Sequence, residues 1–168
     1  MKFTPELNGE PTFSVRVEAD QAAPTIQNIF QYLNRTNREV FAEAYRRYEG
    51  HTWYIQCLMN RLYEREKKVS ELSQLNAATI SVLKGREPQY ENLSQFFTEN
   101  QMNLLKAIAS EGVVAQPTSA KFIRDHRLMA VSSVKTALES LEEKELVYRT
   151  GEGYMIYDRF MALWLRQL

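Results

Sequence analysis

The chain has 168 residues, 44% of them hydrophobic, so it can bury the core of one domain or of two small ones. Its 21 basic and 21 acidic residues give a formal net charge of zero, which excludes a chain-wide field that draws the protein to nucleic acid or to an anionic membrane. The single cysteine, Cys57, excludes an internal disulfide framework, and no apolar run has the length of a signal peptide core or a membrane span. We therefore expect a soluble, cytoplasmic protein without membrane contacts.

Residues 1–20 are expected to be a linker or to hold a single short strand. Phe13, Val15 and Val17 alternate with polar residues, which indicates a strand. A lone strand has no partner of its own, so it would pair with a later hairpin, with a second copy or with a further segment. These three alternatives stay open.

Residues 21–95 have the pattern of a small helical bundle. The first helix shows four apolar residues at helical spacing: Ile26, Ile29, Phe30 and Leu33. Thr36-Asn-Arg-Glu39 has the form of a capping box, which should begin a second helix. Gly50 should end that helix, because glycine suits the left-handed position after a helix.

Two more helices complete the predicted bundle. Thr52 can cap a helix that runs to about Arg65, and apolar spacing predicts another over residues 71–83. Gly85 and Pro88 disfavour helix and should interrupt the chain beyond it.

An aromatic cluster lies in the first half of this bundle. Its members are Tyr45, Tyr48, Trp53 and Tyr54. Such a cluster can stack on bases or on a ligand, but the helical spacing favours packing in the core.

Residues 96–168 show three predicted helices followed by a hairpin, which is the order of a winged helix. The first helix opens with the capping box Thr98-Glu-Asn-Gln101 and stops at Gly112. The second starts at Pro117-Thr-Ser119, and the third begins near Ser132.

The hairpin consists of two short strands, residues 146–150 and 154–157, around the turn Gly151-Glu-Gly153. Asp158 can cap a final helix, whose apolar face needs a surface to cover it or offers a docking face. The expected fold class is thus mainly α, with a small helical bundle followed by a winged helix-turn-helix with a short β-hairpin.

No self-sufficient catalytic site can be recognised in the sequence, so we expect no enzyme activity and no catalytic residue. None of the six glycines has the spacing of a phosphate-binding loop. His51 and His126 lie far apart and lack a cysteine or acidic neighbour at ligand spacing, so no metal site is expected. A Ser/His/Asp site stays open on residue types, although no nucleophile-elbow pattern is present.

A winged helix also raises the alternative of a free-standing, DNA-binding transcriptional regulator. The candidate nucleic-acid contacts are Arg124, Arg127, Ser132, Ser133, Lys135 and Arg149. Residues 131–145 carry two lysines against four glutamates, so phosphates would repel the helix that should enter the groove. The charge pattern therefore disfavours nucleic acid as the partner.

Two blocks of the sequence resemble the lid and winged-helix region of archaeal-type P-loop ATPases, which are AAA+/STAND-related. In that family one helix ends in a Gly-His-Pro or Gly-Gly-Pro turn and the next begins with an aromatic residue, Ile and Gln; residues 48–63 match this pattern. The second block comprises residues 97–112, 132–141 and 154–165, and includes the family's ending Asp-x-Phe-x-x-Leu-Trp-Leu.

The resemblance implies a non-catalytic C-terminal fragment of such an ATPase, which acts in interdomain or protein contacts and in regulation. Its partner would be an upstream ATPase domain or another protein. No cofactor is then expected in this chain, since ATP and Mg²⁺ would belong to the upstream domain. By resemblance, Gly50, His51 and Thr52 form a lid turn near the nucleotide, with Thr52 where the family has proline.

Overall fold

The computed structural model describes residues 2–5, 11–14, 37–65 and 71–168. The predicted helix around Ile26 and Leu33 lies outside these ranges, as do Val15 and Val17. Contacts divide the chain into two compact units, Met1–Val82 and Leu83–Leu168. The boundary that the sequence places between residues 95 and 96 lies inside the second unit.

The first unit begins with two strands, β1 (Lys2–Pro5) and β2 (Pro11–Ser14). They pair antiparallel with Phe3 opposite Phe13. The expectation of one strand without a local partner was wrong, because the hairpin brings the partner from within the first five residues. The sequence of β1, Lys2-Phe-Thr-Pro5, has only one large apolar residue, Phe3, so no alternation marks it as a strand.

Two helices of the first unit follow, α1 (Arg38–Arg47) and α2 (Thr52–Arg65). The cap of α1 is Asn37, whose Oδ1 accepts from the backbone N–H of Glu39 at 3.1 Å. The predicted cap, Thr36, lies outside the described residues, and an asparagine side chain serves the same purpose one position later. Thr52 is the first residue of α2 and not its cap, since the His51 carbonyl already accepts from the Ile55 N–H.

The core of the first unit is made by apolar side chains of α1, α2 and the start of the next helix. Its buried members are Val40, Ala44, Tyr48, Tyr54, Ile55, Leu58, Met59, Leu62, Leu75, Ala78 and Val82. The rings of Tyr48 and Tyr54 stack at 5.5 Å, and burial raises the pKa of Tyr48 to about 12. The preference for core packing is thus confirmed for these two tyrosines, whereas Trp53 stays 49% exposed.

A single long helix, α3 (Leu72–Ser94), runs through both units. Gly85 and Pro88 lie inside it, so the predicted interruption after residue 83 was wrong. Contacts of its last turns explain this result, since Tyr90 is buried and its hydroxyl donates to Asp158 Oδ2 at 2.9 Å. Tertiary packing outweighs the local preference of the two helix-breaking residues.

The second unit continues with three helices, α4 (Glu99–Glu111), α5 (Ala120–Asp125) and α6 (Val131–Glu143). The hairpin β3 (Val147–Arg149) and β4 (Tyr154–Ile156) follows, and α7 (Arg159–Leu165) closes the unit. The predicted order of three helices and a hairpin is confirmed.

The predicted ends of these helices are also confirmed. Thr98 and Gln101 form the reciprocal capping box of α4, and Gly112 ends that helix at a φ of 84°. Asp158 caps α7, because its Oδ1 accepts from the N–H groups of Phe160 and Met161.

The final helix is covered within the second unit. Phe160, Met161, Trp164 and Leu165 are all buried, and α7 packs against α4. The Trp164 ring lies 5.5 Å from that of Tyr90. The predicted apolar face of this helix therefore belongs to the core of the second unit and is not a docking face.

Candidate interaction surface

The α6 helix presents one face to the core and the other to solvent. Its buried side chains are Val134, Ala137, Leu138 and Leu141, and they pack against α4. A hydrogen bond from Gln101 Nε2 to Ser140 Oγ, at 3.0 Å, fixes the two helices to each other. The opposite face carries the exposed residues Ser132, Lys135, Thr136, Glu139 and Glu143. These five residues are called the α6 stripe.

Three consecutive apolar residues are exposed where the turn after α5 meets the first residue of α6. They are Met129, Ala130 and Val131, here called the turn patch. Met129 is 57% exposed and Val131 is 53% exposed. Ala130 stands at the cap of α6 and provides no side-chain hydrogen bond to it. Serine, threonine, asparagine or aspartate would stabilise this position, so the local sequence favours an apolar surface over a better cap.

Charges of both signs surround the turn patch. Residues 120–145 contain five lysines and arginines and five aspartates and glutamates. Arg124 Nε lies 3.6 Å from Asp125 Oδ1, and Lys135 Nζ lies 3.9 Å from Glu139 Oε1. Water screens such exposed pairs, so they contribute little to folding. This surface does not have the one-sided positive charge of a groove-binding helix.

The wing is a short, tight hairpin. Thr150 closes its turn, because its Oγ1 accepts from the N–H groups of Glu152 and Gly153, each at 3.2 Å. The exposed residue Glu152 lies at the tip, while Arg149 at the base holds its guanidinium 5.7 Å from the Tyr154 ring. A carboxylate at the tip is unfavourable next to a phosphate backbone.

A third strand position completes the wing. The N–H of Val114 donates to the Tyr154 carbonyl and the Tyr154 N–H donates to the Val114 carbonyl, both at 2.9 Å. The segment between α4 and α5 is thereby joined to β4, which lies between Val114 and β3. This single bridge adds one paired position to the edge of β4 that β3 leaves open.

Residues 88–167 match a family model described as a probable winged helix domain. The match agrees with the observed order of helices and strands in the second unit. Searches of curated proteins and of solved structures found no match. A winged helix is a domain type used for DNA binding or for protein contacts, and the relation to ATPases rests on the sequence resemblance alone.

The residues named as nucleic-acid contacts all lie in the winged helix. Arg124 is on α5, Arg127 is in the turn at a φ of 53°, and Arg149 ends β3. Ser132, Ser133 and Lys135 lie in the first turns of α6, where Ser133 is half-buried and the other two are exposed. Acidic residues lie between and beside these positions, and a role in nucleic-acid binding stays a prediction.

The residues named as a lid turn belong to the first unit. Gly50 has a φ of 71° and its N–H donates to the Tyr45 carbonyl at 2.9 Å, while the His51 N–H donates to the Tyr48 carbonyl at 2.8 Å. The exposed His51 ring lies edge-on to Tyr54 at 5.4 Å. The turn is tight and accessible, and its proximity to a nucleotide stays a prediction.

The sequence did not reveal two features of the winged helix. Val114 is one apolar residue in a short segment, so no periodicity marks it as a strand position. The turn patch has one signal in the sequence, because three apolar residues occupy a place where a polar cap is usual, but only packing shows that they are exposed.

The parts of the chain with described coordinates contain no group of three His, Cys, Asp or Glu side chains that could hold a metal ion. Among those same residues, no helix combines the length and the hydropathy needed to cross a bilayer.

Proposed function

We propose that the winged helix works through contacts with protein and not by reading DNA. The observation that carries this proposal is the turn patch, which exposes Met129 and Val131 where α6 begins. In a DNA-binding helix-turn-helix, the first turns of this helix approach the base edges and phosphates. Exposed apolar side chains here favour a partner that can bury them.

The charges around the turn patch support the same proposal. The second half of α6 and the residues after it are acidic, because they carry Glu139, Glu142, Glu143 and Glu145. A further carboxylate, that of Glu152, occupies the tip of the wing. Both elements would face phosphates in a groove-bound complex, where their carboxylates would be repelled. Protein partners impose no such penalty, since their surfaces carry charges of both signs.

The resemblance in sequence supports a more specific role for the contact. We infer that the chain acts with an ATPase domain of the resembling kind, as a non-catalytic and regulatory element. In this role the turn at Gly50, His51 and Thr52 would lie near the nucleotide, and the ATPase domain would supply ATP binding and Mg²⁺. Nucleotide binding would therefore need the partner domain.

The proposal is tested by titrating the purified chain with mixed-sequence duplex DNA at low and at physiological salt, with ATP binding measured on the same sample. We expect neither tight DNA binding nor ATP binding by the chain alone. Tight DNA binding that weakens steeply with salt would contradict the proposal, because that dependence reports phosphate contacts. ATP hydrolysis by the chain alone would contradict its non-catalytic role.

A DNA-binding regulator is the second candidate, favoured by the exposure of Arg124, Arg127, Lys135 and Arg149. If it is correct, replacing these four residues by alanine should abolish salt-dependent DNA binding. The matched control is the replacement of Lys84 and Lys106, which lie on α3 and α4, outside the helix-turn-helix and the wing. Equal binding by both variants would rule out this candidate.

A further inference from the structure

The charge of the α6 stripe changes sign along the helix. Its first half carries Lys135 between the polar residues Ser132 and Thr136, and its second half carries Glu139 and Glu143. Ser132, Thr136, Glu139 and Glu143 are separated by three or four residues, so they lie in one row on the exposed face. Lys135 lies beside this row, one helical turn before Glu139, so the α6 stripe carries one positive charge in its first half and two negative charges in its second half.

Lys135 and Glu139, at the centre of the α6 stripe, are only loosely paired with each other. Lys135 Nζ lies 3.9 Å from Glu139 Oε1, and the two side chains are 70% and 59% exposed. A pair of this kind contributes a few tenths of a kcal/mol to a helix and leaves both groups accessible to other charges. Both side chains can therefore face a second molecule without giving up a strong contact.

A helix with such a pattern has its complement in a second copy turned end to end. In an antiparallel pair, the positive half of each helix faces the negative half of the other, and a two-fold axis makes both contacts identical. We infer that α6 pairs with α6 of a second copy in this way, with Lys135 of each copy facing Glu139 of the other. This inference rests on the proposed function, because DNA would occupy the same face.

The net charge of the chain is compatible with this occupant. A chain with zero net charge meets no long-range repulsion from its own copy. The contact follows one helix of 13 residues, so it lies at the small end of protein interfaces and the dimer should be weak.

The test is sedimentation equilibrium of the full chain up to about 500 µM, a range suited to a small interface. We expect reversible self-association that weakens as salt rises. Lys135→Glu and Glu139→Lys should each raise the dissociation constant about tenfold, because each places like charges opposite each other twice. An equimolar mixture of the two variants should recover the affinity of the wild type.

The recovery in the mixture isolates the contact between copies. Within each variant chain the charges at 135 and 139 still repel, so only pairing of the two different variants restores the opposite-charge contacts. Lys84→Glu and Glu91→Lys, at exposed positions of α3, are the matched controls and should associate as the wild type does. Circular dichroism of every variant verifies that the helices are retained.

A wild-type chain that stays monomeric over the whole range would overturn the inference, as would a mixture no tighter than its components. If the chain neither self-associates nor binds DNA, the proposed function stands and the α6 stripe contacts another protein. Tight, salt-dependent DNA binding would instead remove the proposed function itself.

Discussion

Among the glycines of the winged helix, Gly153 has the least room for a side chain. Its φ is 149°, and a Cβ added there would lie 2.5 Å from the Val114 carbonyl oxygen. The backbone of Val114 is held by two hydrogen bonds to Tyr154. It cannot move away from the added Cβ without breaking them. Gly151, two residues earlier, would place a Cβ in open space.

We predict that Gly153→Ala lowers the free energy of unfolding by about 2 to 4 kcal/mol, through backbone strain and a contact that cannot relax. Urea denaturation followed by circular dichroism measures the change. The matched substitution Gly151→Ala should alter stability by no more than about 0.5 kcal/mol. Equal effects of the two substitutions would show that the wing tolerates a side chain against Val114.

Tyr90 is a second residue whose contribution to stability can be tested. It is buried, and its hydroxyl donates to Asp158, the cap of α7. Burial raises the pKa of Tyr90, and the neighbouring Asp158 carboxylate raises it further. The hydroxyl therefore stays protonated and acts as a donor throughout the usual pH range.

We predict that Tyr90→Phe lowers the free energy of unfolding by about 1 to 2 kcal/mol, since it removes one hydrogen bond to a charged acceptor and keeps the ring in place. Asp158 retains its two bonds to the start of α7 in this variant. Unfolding by urea, monitored by tryptophan fluorescence, reports the loss because Trp164 packs on this ring. An unchanged midpoint would show that the hydroxyl contributes nothing to the stability of the second unit.

The helix α1 carries a compact set of ion pairs in its last turns. Glu43 accepts from Arg46 Nη2 at 2.8 Å and from Arg47 Nε at 2.7 Å. The hydrogen bond from Arg46 has the largest effect on the pKa of Glu43, and the bond from Arg47 comes next. Together they lower this pKa from its ordinary value of 4.5 to about 2. The carboxylate form is thus favoured in the folded protein.

A lowered pKa stabilises the fold while the carboxylate stays charged. The contribution of Glu43 should be complete above pH 4.5 and should disappear as the pH falls from 4.5 to about 2. We predict that Glu43→Gln reduces the loss of stability across this interval and that added salt has the same effect. Thermal melts of both proteins at several pH values provide the measurement. Parallel pH curves for the two proteins would contradict this assignment.

The elements that the sequence predicted correctly are those with local signals. The capping box at Thr98 and Gln101, the glycine stop at Gly112 and the aspartate cap at Asp158 are each determined by residues within one turn. Where the prediction from sequence was wrong, contacts between residues far apart in the chain determine the structure. The bond from Tyr90 to Asp158 joins residues 68 positions apart, and no window around Pro88 contains it.

At the scale of the whole molecule, the sequence predicts the order of elements and the charge but not the exposure of apolar side chains. The order of helices and wing was predictable, and so were the balance of charges and the acidic second half of α6. The exposure of Met129 and Val131 was not, since apolar residues in a helical pattern are usually assigned to the core. Only packing shows which apolar side chains the core leaves uncovered.

Exposed and buried apolar side chains at the start of α6 should differ in their contribution to stability. Met129→Ser with Val131→Ser should change the free energy of unfolding by no more than about 0.5 kcal/mol, because both side chains are largely exposed in the folded chain. Val134→Ser, one turn further and buried, should lower it by about 2 to 3 kcal/mol. Chemical denaturation of a dilute, monomeric sample checks both. A large loss in the double variant would assign the turn patch to folding and not to binding.

The pairing of Val114 with Tyr154 also affects how the wing meets a partner. A hairpin bonded along only one edge samples many positions and loses that freedom when a partner immobilises it. Here β4 is bonded on both edges, to β3 and to Val114, and the Thr150 side chain closes the turn. Most of the entropy cost of ordering the wing is therefore met during folding. A partner finds a rigid, pre-organised shape and has to adapt its own surface to it.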